Sequence, residues 1–249
     1  MKFAGVELAR IGLGTNRLTK TDQNVAFIEA AVAAGLQVID TAHLYTGGQS
    51  EDTIGTALSP VPSDVVVATK GGFNDGSPDV LHQEIANSLR LLRTDSITMY
   101  YLHRVDSRVA IEESLSAIKD HVDRGHIRHV GVSQVGVEQV ERARKVVPIA
   151  AVQNEYNLAE RKHDPVVDYC EREGLVFVPF YPLHGDGGGK LAQIARRHHA
   201  TPGQVKLAWL LRRSPVMLPI PGTLSLPHLK ENLGALDIEL TDEEFEQLR

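Results

Sequence analysis

Short apolar runs rich in β-branched residues recur along the chain, and longer stretches with helical periodicity separate them. This alternation is typical of parallel βαβ units. The apolar runs predict eight strands, over Ile11–Gly14, Gln37–Asp40, Val65–Thr69, Ser96–Leu102, His129–Ser133, Ala150–Asn154, Val176–Phe180 and Val216–Ile220.

The stretches between these runs place apolar residues three and four positions apart, as one buried face of a helix requires. They predict helices over Asp22–Ala34, Ser50–Leu58, Pro78–Leu91, Val109–Arg124, Val137–Lys145, His163–Arg172, Gly189–His199, Thr201–Arg212 and Leu226–Leu233. A last helix is expected over Thr241–Arg249. Its start, Thr-Asp-Glu-Glu, is a capping-box pattern with acidic residues in the first turn.

Eight strand and helix repeats in 249 residues average about 31 residues each, which is the size of a βαβ unit. The total length matches a (β/α)8 TIM barrel, so we predict an α/β fold of this kind in a single domain over residues 1–249. Gly5, between two short arms, predicts an N-terminal β-hairpin that closes the bottom of the barrel. An open, doubly wound sheet is the competing architecture, and it would need fewer strands or a second domain.

Composition excludes several classes of function. The net charge of −6, from 26 Lys+Arg and 32 Asp+Glu, gives no electrostatic reason for nucleic-acid or membrane-surface binding. Because Cys170 is the only cysteine, neither an intrachain disulfide nor a thiolate metal cluster can form. The longest nearly apolar stretch, Gly174–Leu183, is about half of the ~20 residues that span a membrane. We therefore expect a cytoplasmic protein.

Polar residues follow the strongly apolar strands at the end where barrel enzymes place their chemistry. Asp40, Lys70 and His103 each end or follow a predicted strand, and Tyr45 lies five residues beyond Asp40. A buried lysine beside a phenol favours the phenolate, and an aspartate keeps that lysine charged. A neutral imidazole opposite them could hold a carbonyl oxygen for proton transfer. The four residues therefore predict a site with a tunable proton donor.

Ordered motifs across the whole chain resemble those of the aldo-keto reductase family. The matching stretches are Ile39-Asp40-Thr41-Ala42 with Tyr45, Ser50-Glu51-Asp52-Thr53-Ile54-Gly55, Ala68-Thr69-Lys70, Tyr101-Leu102-His103, Gly131-Val132-Ser133, Val152-Gln153-Asn154-Glu155-Tyr156-Asn157, Pro219-Ile220-Pro221-Gly222-Thr223 and Glu231-Asn232. The family's Asp, Tyr, Lys and His tetrad falls on the four residues selected from the strand ends.

The resemblance implies reduction of an aldehyde or ketone by hydride transfer from NADPH, with NADH as the alternative cofactor. Tyr45 would act as general acid, assisted by Lys70, Asp40 and His103. The implied partner is a small carbonyl substrate, and we expect a monomer or a weak homo-oligomer. The positions implied in cofactor binding are Gly14, Thr15, Asn16, Ser133, Gln134, Gln153, Phe180, Tyr181, Leu183, Gly222, Thr223, His228, Glu231 and Asn232.

Four positions depart from the family pattern. Gln134 replaces an asparagine and Phe180 a frequent tyrosine, and both substitutes keep the amide or the ring face. Gly222 stands where many members have a lysine, and His228 where many have an arginine. Such basic groups recognise a 2′-phosphate, so these two positions bear directly on the choice between NADPH and NADH.

Other interpretations remain open at this point. The protein could be a cofactor-binding regulatory subunit with slow turnover, or a barrel isomerase or aldolase in which Lys70 forms a Schiff base. The glycine-rich segment 185–190 could cradle a phosphate or serve as a flexible connector. We interpret the histidines at 121, 126, 129, 198 and 199 as solvated surface residues, because they lack ligand spacing. Trp209 and Cys170 are expected in the core.

Overall fold

The computed structural model describes residues 1–248, and a parallel β-sheet curled into a barrel lies at its centre. The strands are β1 Lys2–Phe3, β2 Val6–Glu7, β3 Leu13–Gly14, β4 Val38–Asp40, β5 Val66–Gly71, β6 Ile97–Leu102, β7 Ile127–Ser133, β8 Ile149–Glu155 and β9 Val176–Phe180. Strands β3 to β9 pair in chain order, and every pair is parallel. The predicted barrel architecture is therefore confirmed.

The barrel closes through a short extended segment in place of the predicted eighth strand, Val216–Ile220. Only isolated bridges join this part of the chain to its neighbours, from Met217 to Phe177 and from Gly222 to Gly14. The prediction of a regular strand was wrong because Pro219 and Pro221 have no backbone N–H to donate to a ladder. Their carbonyls still accept bonds of 2.9 and 3.2 Å from Gly12 and Gly14 and hold the seam together.

Helices surround the sheet and match the predicted positions to within two residues at each end inside the described part. They are α1 Asp22–Ala33, α2 Gln49–Ala57, α3 Pro78–Leu92, α4 Ile111–Asp123, α5 Val137–Arg144, α6 Asp164–Glu173, α7 Gly188–Arg197, α8 Pro202–Arg213, α9 Leu226–Leu233 and α10 Asp242–Gln247. The hydroxyl of Thr241 caps α10 as predicted, by accepting from the Glu244 amide. Arg249, the last residue of that prediction, lies outside the described residues.

Alternation along each strand decides which side chains face the barrel interior. The inner apolar cluster contains Val38 of β4, Val66 and Ala68 of β5, and Met99 and Tyr101 of β6. Because side chains repeat every two residues, the next inward position on each strand is Asp40, Lys70 and His103, respectively. The apolar lower layers thus place three polar side chains together at the carboxyl end of the barrel.

The N-terminal segment forms the predicted hairpin, since β1 and β2 pair antiparallel. Phe3 and Leu8 are buried in the same inner cluster as Val38 and Val66. The hairpin therefore closes the end of the barrel opposite to the polar strand ends, as expected.

A second and larger apolar cluster lies between the sheet and the helices. Trp209 is buried there, stacked between the rings of Tyr156 and Phe245, and Cys170 is buried in the same layer. Both residues therefore have the core role that the sequence predicts. Across residues 1–248, the helices are all too short or too polar to cross a membrane.

Candidate active site

Asp40 and Lys70 form a buried ion pair at the carboxyl ends of β4 and β5. The Lys70 Nζ lies 2.6 Å from Asp40 Oδ1, and the two residues are 0% and 3% exposed. Lys70 also donates a 2.7 Å bond to the carbonyl of Thr41. The side-chain amide of Gln153 donates a 2.8 Å bond to Asp40 Oδ2, so both carboxylate oxygens have partners.

The electrostatics of Lys70 follow from this pairing. Burial alone would lower its pKa, but the carboxylate of Asp40, with a smaller effect of the Tyr45 phenol, outweighs burial and raises the pKa above the ordinary value for lysine. The ammonium form is therefore stabilised inside the barrel. A charged amine with these partners is a poor nucleophile, which disfavours the Schiff-base interpretation of Lys70.

Tyr45 lies over the ion pair, at the start of a 3-10 turn, Tyr45–Gly48. Thr46 and Gly47 have φ angles of 50° and 64°, and the Thr46 hydroxyl donates a 2.7 Å bond to the carbonyl of Leu18. This compact turn brings the Tyr45 ring to 5.0 Å from Lys70 Nζ. Burial raises the pKa of the Tyr45 phenol above its ordinary value, and the charge of Lys70 opposes that rise.

Lys70 lowers the pKa of Tyr45, as predicted, but burial of the phenol raises that pKa by more. We expected the lysine to favour the phenolate, whereas burial of the phenol outweighs it, since the uncharged form is preferred away from water. Tyr45 therefore carries its proton throughout the neutral pH range, which suits a proton donor.

His103 follows β6 and faces Tyr45, with the ring centroids 5.9 Å apart. The ring of Phe73 packs edge-on against it at 4.8 Å. Burial, followed by the nearby positive charge of Lys70, lowers the pKa of His103 to about 2. The imidazole is therefore neutral, and its buried Nδ1 has no hydrogen-bond partner among the described residues.

A cavity of about 840 Å³ opens over these residues at the carboxyl end of the barrel. Its volume is typical of a site for a cofactor or another small molecule. The predicted site residues that line it are Gly14, Thr15, Asn16, Asp40, Tyr45, His103, Ser133, Gln134, Gln153, Phe180, Tyr181, Leu183, Gly222, Thr223 and His228. Lys70 lies beneath the cavity floor and is fully buried.

One wall of the cavity offers polar groups without partners. Among residues 1–248, no hydrogen bond engages the Ser133 hydroxyl or the Gln153 side-chain carbonyl, and the Phe180 ring lines the same cavity. Gln134 and Tyr181, at the ends of β7 and β9, have φ angles of 57° and 51°. Non-glycine residues with positive φ are uncommon and tend to cluster at functional sites.

Two glycines allow the barrel seam to close beside the cavity. A Cβ on Gly14 would lie 2.8 Å from the carbonyl oxygen of Ile220, so this position requires glycine. Gly222 is less constrained, because a Cβ there would lie 3.4 Å from the Gly14 oxygen and 3.8 Å from Asn16 Oδ1. A larger side chain at 222 is therefore sterically compatible with this backbone.

Two predicted cofactor positions, Glu231 and Asn232, are not among the residues that line the cavity. Glu231 accepts a 2.7 Å bond from the Thr201 hydroxyl, which ties α9 to the start of α8. The glycine-rich segment 185–190 also lies outside the lining, and Asp186 Oδ1 accepts a bond from the amide of Gly188 within it. The connector interpretation of this segment therefore fits the geometry better than a phosphate cradle.

Sequence reasoning missed several residues that line the cavity. They are Arg17, Leu44, Phe73, Pro182, His184, Ile220, Pro221, Leu224 and Ser225. Most are direct neighbours of predicted site residues, and this adjacency was the available signal. Phe73 is the exception, since it follows Lys70 by three residues on an irregular segment whose direction no periodicity indicates.

The interpretation of His121 as a solvated surface residue was wrong. It is only 5% exposed and sits in a chain of three imidazoles, 2.9 Å from His82 and 3.0 Å from His126 between nitrogen atoms. Burial and the two neighbouring rings lower the pKa of His121 to about 4. No cluster of His, Cys, Asp or Glu within residues 1–248 has a geometry that could hold a metal ion.

Comparison with known sequences finds a matching family model and curated relatives that cover nearly the whole chain. The sequence model of the Aldo/keto reductase family matches residues 10–189 and 186–249. An uncharacterized oxidoreductase from Schizosaccharomyces pombe is 35% identical, over 100% of this chain and 88% of its own length. Pyridoxine 4-dehydrogenase from Escherichia coli is also 35% identical, over 94% of this chain and 91% of its own.

Solved structures give the same result. A thermostable aldo-keto reductase in complex with the inhibitor epalrestat superposes with a TM-score of 0.91 at 31% identity, covering 98% of this chain and 95% of the other. An aldo/keto reductase from Klebsiella pneumoniae in complex with NADP and acetate gives a TM-score of 0.88 at 31% identity, covering 97% and 90%.

Proposed function

The chain belongs to the aldo/keto reductase family, and from that premise we propose that it reduces aldehydes and ketones to alcohols with NADPH. The observation that carries the proposal is the buried pair of Asp40 and Lys70 directly beneath Tyr45, on the floor of a cavity of about 840 Å³. This arrangement places a protonated phenol where a carbonyl oxygen would enter. Membership of the family supports oxidoreductase chemistry in general, and the geometry supports these particular roles.

Tyr45 donates its proton to the carbonyl oxygen as that oxygen gains negative charge. Lys70 stabilises the phenolate that remains, since its positive charge lies 5.0 Å from the ring. Asp40 keeps Lys70 charged and in place through the 2.6 Å ion pair. A reduced nicotinamide held by Ser133, Gln153 and Phe180 would supply the hydride for the carbonyl carbon, and the proton from Tyr45 would complete the reduction to an alcohol.

His103 holds the carbonyl oxygen beside Tyr45. Its ring is neutral, because burial lowers its pKa to about 2, so it donates one N–H without competing for the Tyr45 proton. The ring of Phe73 packs edge-on against the imidazole at 4.8 Å and restrains its plane. We therefore assign His103 to orientation and Tyr45 to proton transfer.

The cavity wall fits a nicotinamide cofactor. The free Ser133 hydroxyl and Gln153 carbonyl suit a carboxamide, and the Phe180 ring suits a face of the nicotinamide. Two Klebsiella pneumoniae aldo-keto reductase structures, each 31% identical to this chain, contain NADP or NADPH, which supports the same cofactor type here. Thr223 and His228 would lie toward the adenosine end, and Gly14 and Asn16 beside the nicotinamide.

The test of this proposal is nicotinamide oxidation by the purified protein, with NADPH and NADH compared over a panel of aldehydes and ketones. Carbonyl-dependent loss of nicotinamide absorbance with NADPH, slowed by a factor of about 10² to 10⁴ in a Tyr45→Phe variant, is the expected result. Absence of turnover with either cofactor, despite tight cofactor binding measured by fluorescence, would overturn the proposal. That outcome would favour a cofactor-binding regulatory role.

A further inference from the structure

Arg104 neighbours two residues that line the cavity, His103 and Phe73. It directly follows His103, and its guanidinium lies over the ring of Phe73 with Cζ 4.3 Å from the ring centroid. The same ring packs against His103 at 4.8 Å and lines the cavity. A continuous surface therefore leads from His103 across Phe73 to an exposed cation.

The charge of Arg104 is not compensated. Within residues 1–248 it forms no ion pair and no hydrogen bond, and its contact with Phe73 is the one interaction that holds it. By contrast, Arg108 pairs with Asp106 at 2.6 Å and donates a 3.0 Å bond to the carbonyl of Asn74. The carboxylates of Asp106 and Asp75 both act on Arg108, and among residues 1–248 neither forms an ion pair with Arg104.

A polar depression of about 350 Å³ surrounds the Arg104 side chain beyond Phe73. It is lined by Asn74, Arg104, Val105, Asp106, Ser107 and Arg108. Asp106 pairs with Arg108 in this lining, whereas Arg104 is a cation of the lining that has no carboxylate partner among residues 1–248. The lining begins with Asn74 and Arg104, which directly follow Phe73 and His103 in the chain, whereas the residues proposed for the cofactor lie on or after β3, β7, β8, β9 and the closing segment. An anion there would belong to the substrate.

We propose that Arg104 is a specificity-determining residue that binds a carboxylate of the substrate. The inference rests on the proposed reductase function and narrows its substrate class to aldehyde acids and keto acids. The Arg104 Cζ lies 4.3 Å from the Phe73 ring centroid, and the guanidinium has no hydrogen-bond partner among residues 1–248. A guanidinium with unpaired N–H groups can bind a carboxylate through two parallel hydrogen bonds.

The spacing between the two ends of this surface limits the substrate further. The contacts of 4.8 and 4.3 Å through Phe73 bound the separation of the His103 ring and the guanidinium at about 9 Å. This value is the upper limit of the distance that a substrate would span if its carbonyl were held at His103 and its carboxylate at Arg104. A benzene ring fits within this limit and would also pack on Phe73.

The experiment compares 4-carboxybenzaldehyde with 4-formylbenzamide, a neutral compound of nearly the same shape. The ratio of kcat/KM for the acid to that for the amide is measured in the wild type and in Arg104→Gln, Arg104→Lys and Arg128→Gln. We expect the ratio to fall roughly tenfold in Arg104→Gln, since a charge-assisted hydrogen bond is lost. Arg104→Lys should retain part of the wild-type preference for the acid, because lysine keeps the positive charge. Added salt should lower kcat/KM for the acid in the wild type and much less in Arg104→Gln.

The control variant, Arg128→Gln, removes the same charge from an exposed residue near the start of β7, at the other end of the barrel, and should leave the ratio unchanged. An unchanged ratio in Arg104→Gln, or an equal fall in Arg128→Gln, would overturn the inference while reduction of the amide continued to support the reductase function. Failure of the wild type to reduce either compound would overturn both. Thermal unfolding of each variant confirms that the exposed substitution leaves the fold intact.

Discussion

Gln153 donates a 2.8 Å hydrogen bond to Asp40 across 113 positions of sequence, and the bond lies on the floor of the cavity. It engages Oδ2, and Lys70 engages Oδ1 at 2.6 Å. The buried Asp40 carboxylate thus connects Lys70, the cation beneath Tyr45, to Gln153 in the proposed cofactor wall. Changes at any of the three positions should therefore affect the other two.

Replacement of Lys70 by methionine should affect stability as well as turnover. It leaves the Asp40 carboxylate buried without its counter-ion, and breaking a buried pair in this way costs about 3 kcal/mol in free energy of unfolding. Denaturant unfolding measures this loss. Turnover should also disappear, because Tyr45 loses the charge that stabilises its phenolate.

A double variant separates the two effects of Lys70. Adding Asp40→Asn to Lys70→Met removes the unpaired charge, so most of the lost stability should return while turnover stays absent. Recovery of turnover together with stability would show that Lys70 is needed only for folding. Equal instability of the single and double variants would contradict the ion-pair explanation.

Tyr45→Phe should lower kcat by a factor of about 10² to 10⁴, the usual contribution of a general acid. Cofactor affinity, measured by fluorescence quenching, should stay near that of the wild type, because the ring is retained. Tyr169→Phe is a matched control, since Tyr169 lies on α6 and bonds to Arg144 far from the cavity. Full turnover in Tyr45→Phe would assign proton donation to another group.

The protein should lose stability on acidification because of His121. The pKa of this side chain is about 4 in the folded protein and about 6.5 in an unfolded chain. Between these pH values the unfolded chain binds a proton that folded His121 does not, so the free energy of unfolding falls as pH falls, by on the order of 2 kcal/mol. His103, whose pKa is about 2, acts in the same direction.

His121→Gln tests the source of that acid sensitivity, because glutamine does not titrate. Chemical unfolding at pH 7 and pH 4.5 should show a smaller difference in stability for this variant than for the wild type. His228→Gln, a change at an exposed histidine, should leave the difference unaltered. If His121→Gln keeps the full pH dependence, the chain of His82, His121 and His126 is not its cause.

Gly222→Lys should increase the preference for NADPH over NADH. A side chain at 222 fits beside Gly14 and Asn16, and a lysine would add a cation to a cavity lining that already contains Arg17 and His228. The ratio of KM for NADH to KM for NADPH should rise roughly tenfold, as a charge-assisted bond to the 2′-phosphate implies. Gly222→Met adds similar bulk without charge and should leave the ratio near that of the wild type. If Gly222→Lys increases the affinity for NADPH and NADH equally, the lysine contacts the pyrophosphate that both cofactors share and not the 2′-phosphate.

The order of elements along the chain was predictable because apolar periodicity is a local property. Within residues 1–248, the hairpin, the seven paired strands and the ten helices lie where the pattern predicts them, with small shifts at their ends. The interior position of Asp40, Lys70 and His103 follows from the same rule, since they continue the inward alternation of Val38, Val66 and Met99. A period of two residues therefore determined which polar side chains would meet.

The closing segment marks where local pattern was insufficient. In the segment Val216–Ile220, Leu218 and Ile220 are buried in the inner apolar cluster of the barrel. Its backbone nevertheless forms isolated bridges and no regular strand, because proline has no N–H to donate. Burial and backbone pairing are separate requirements, and an apolar pattern reports only the first.

What the sequence determined by itself was the barrel, its hairpin and the set of polar residues at the carboxyl ends of its strands. Only the tertiary structure decided that Glu231 bonds to Thr201 away from the cavity, that His121 is buried between two imidazoles, and that Arg104 lies unpaired over Phe73. Each of these is a contact between side chains on irregular segments or on different helices. Their directions depend on packing between elements distant in sequence, and no local periodicity encodes such packing.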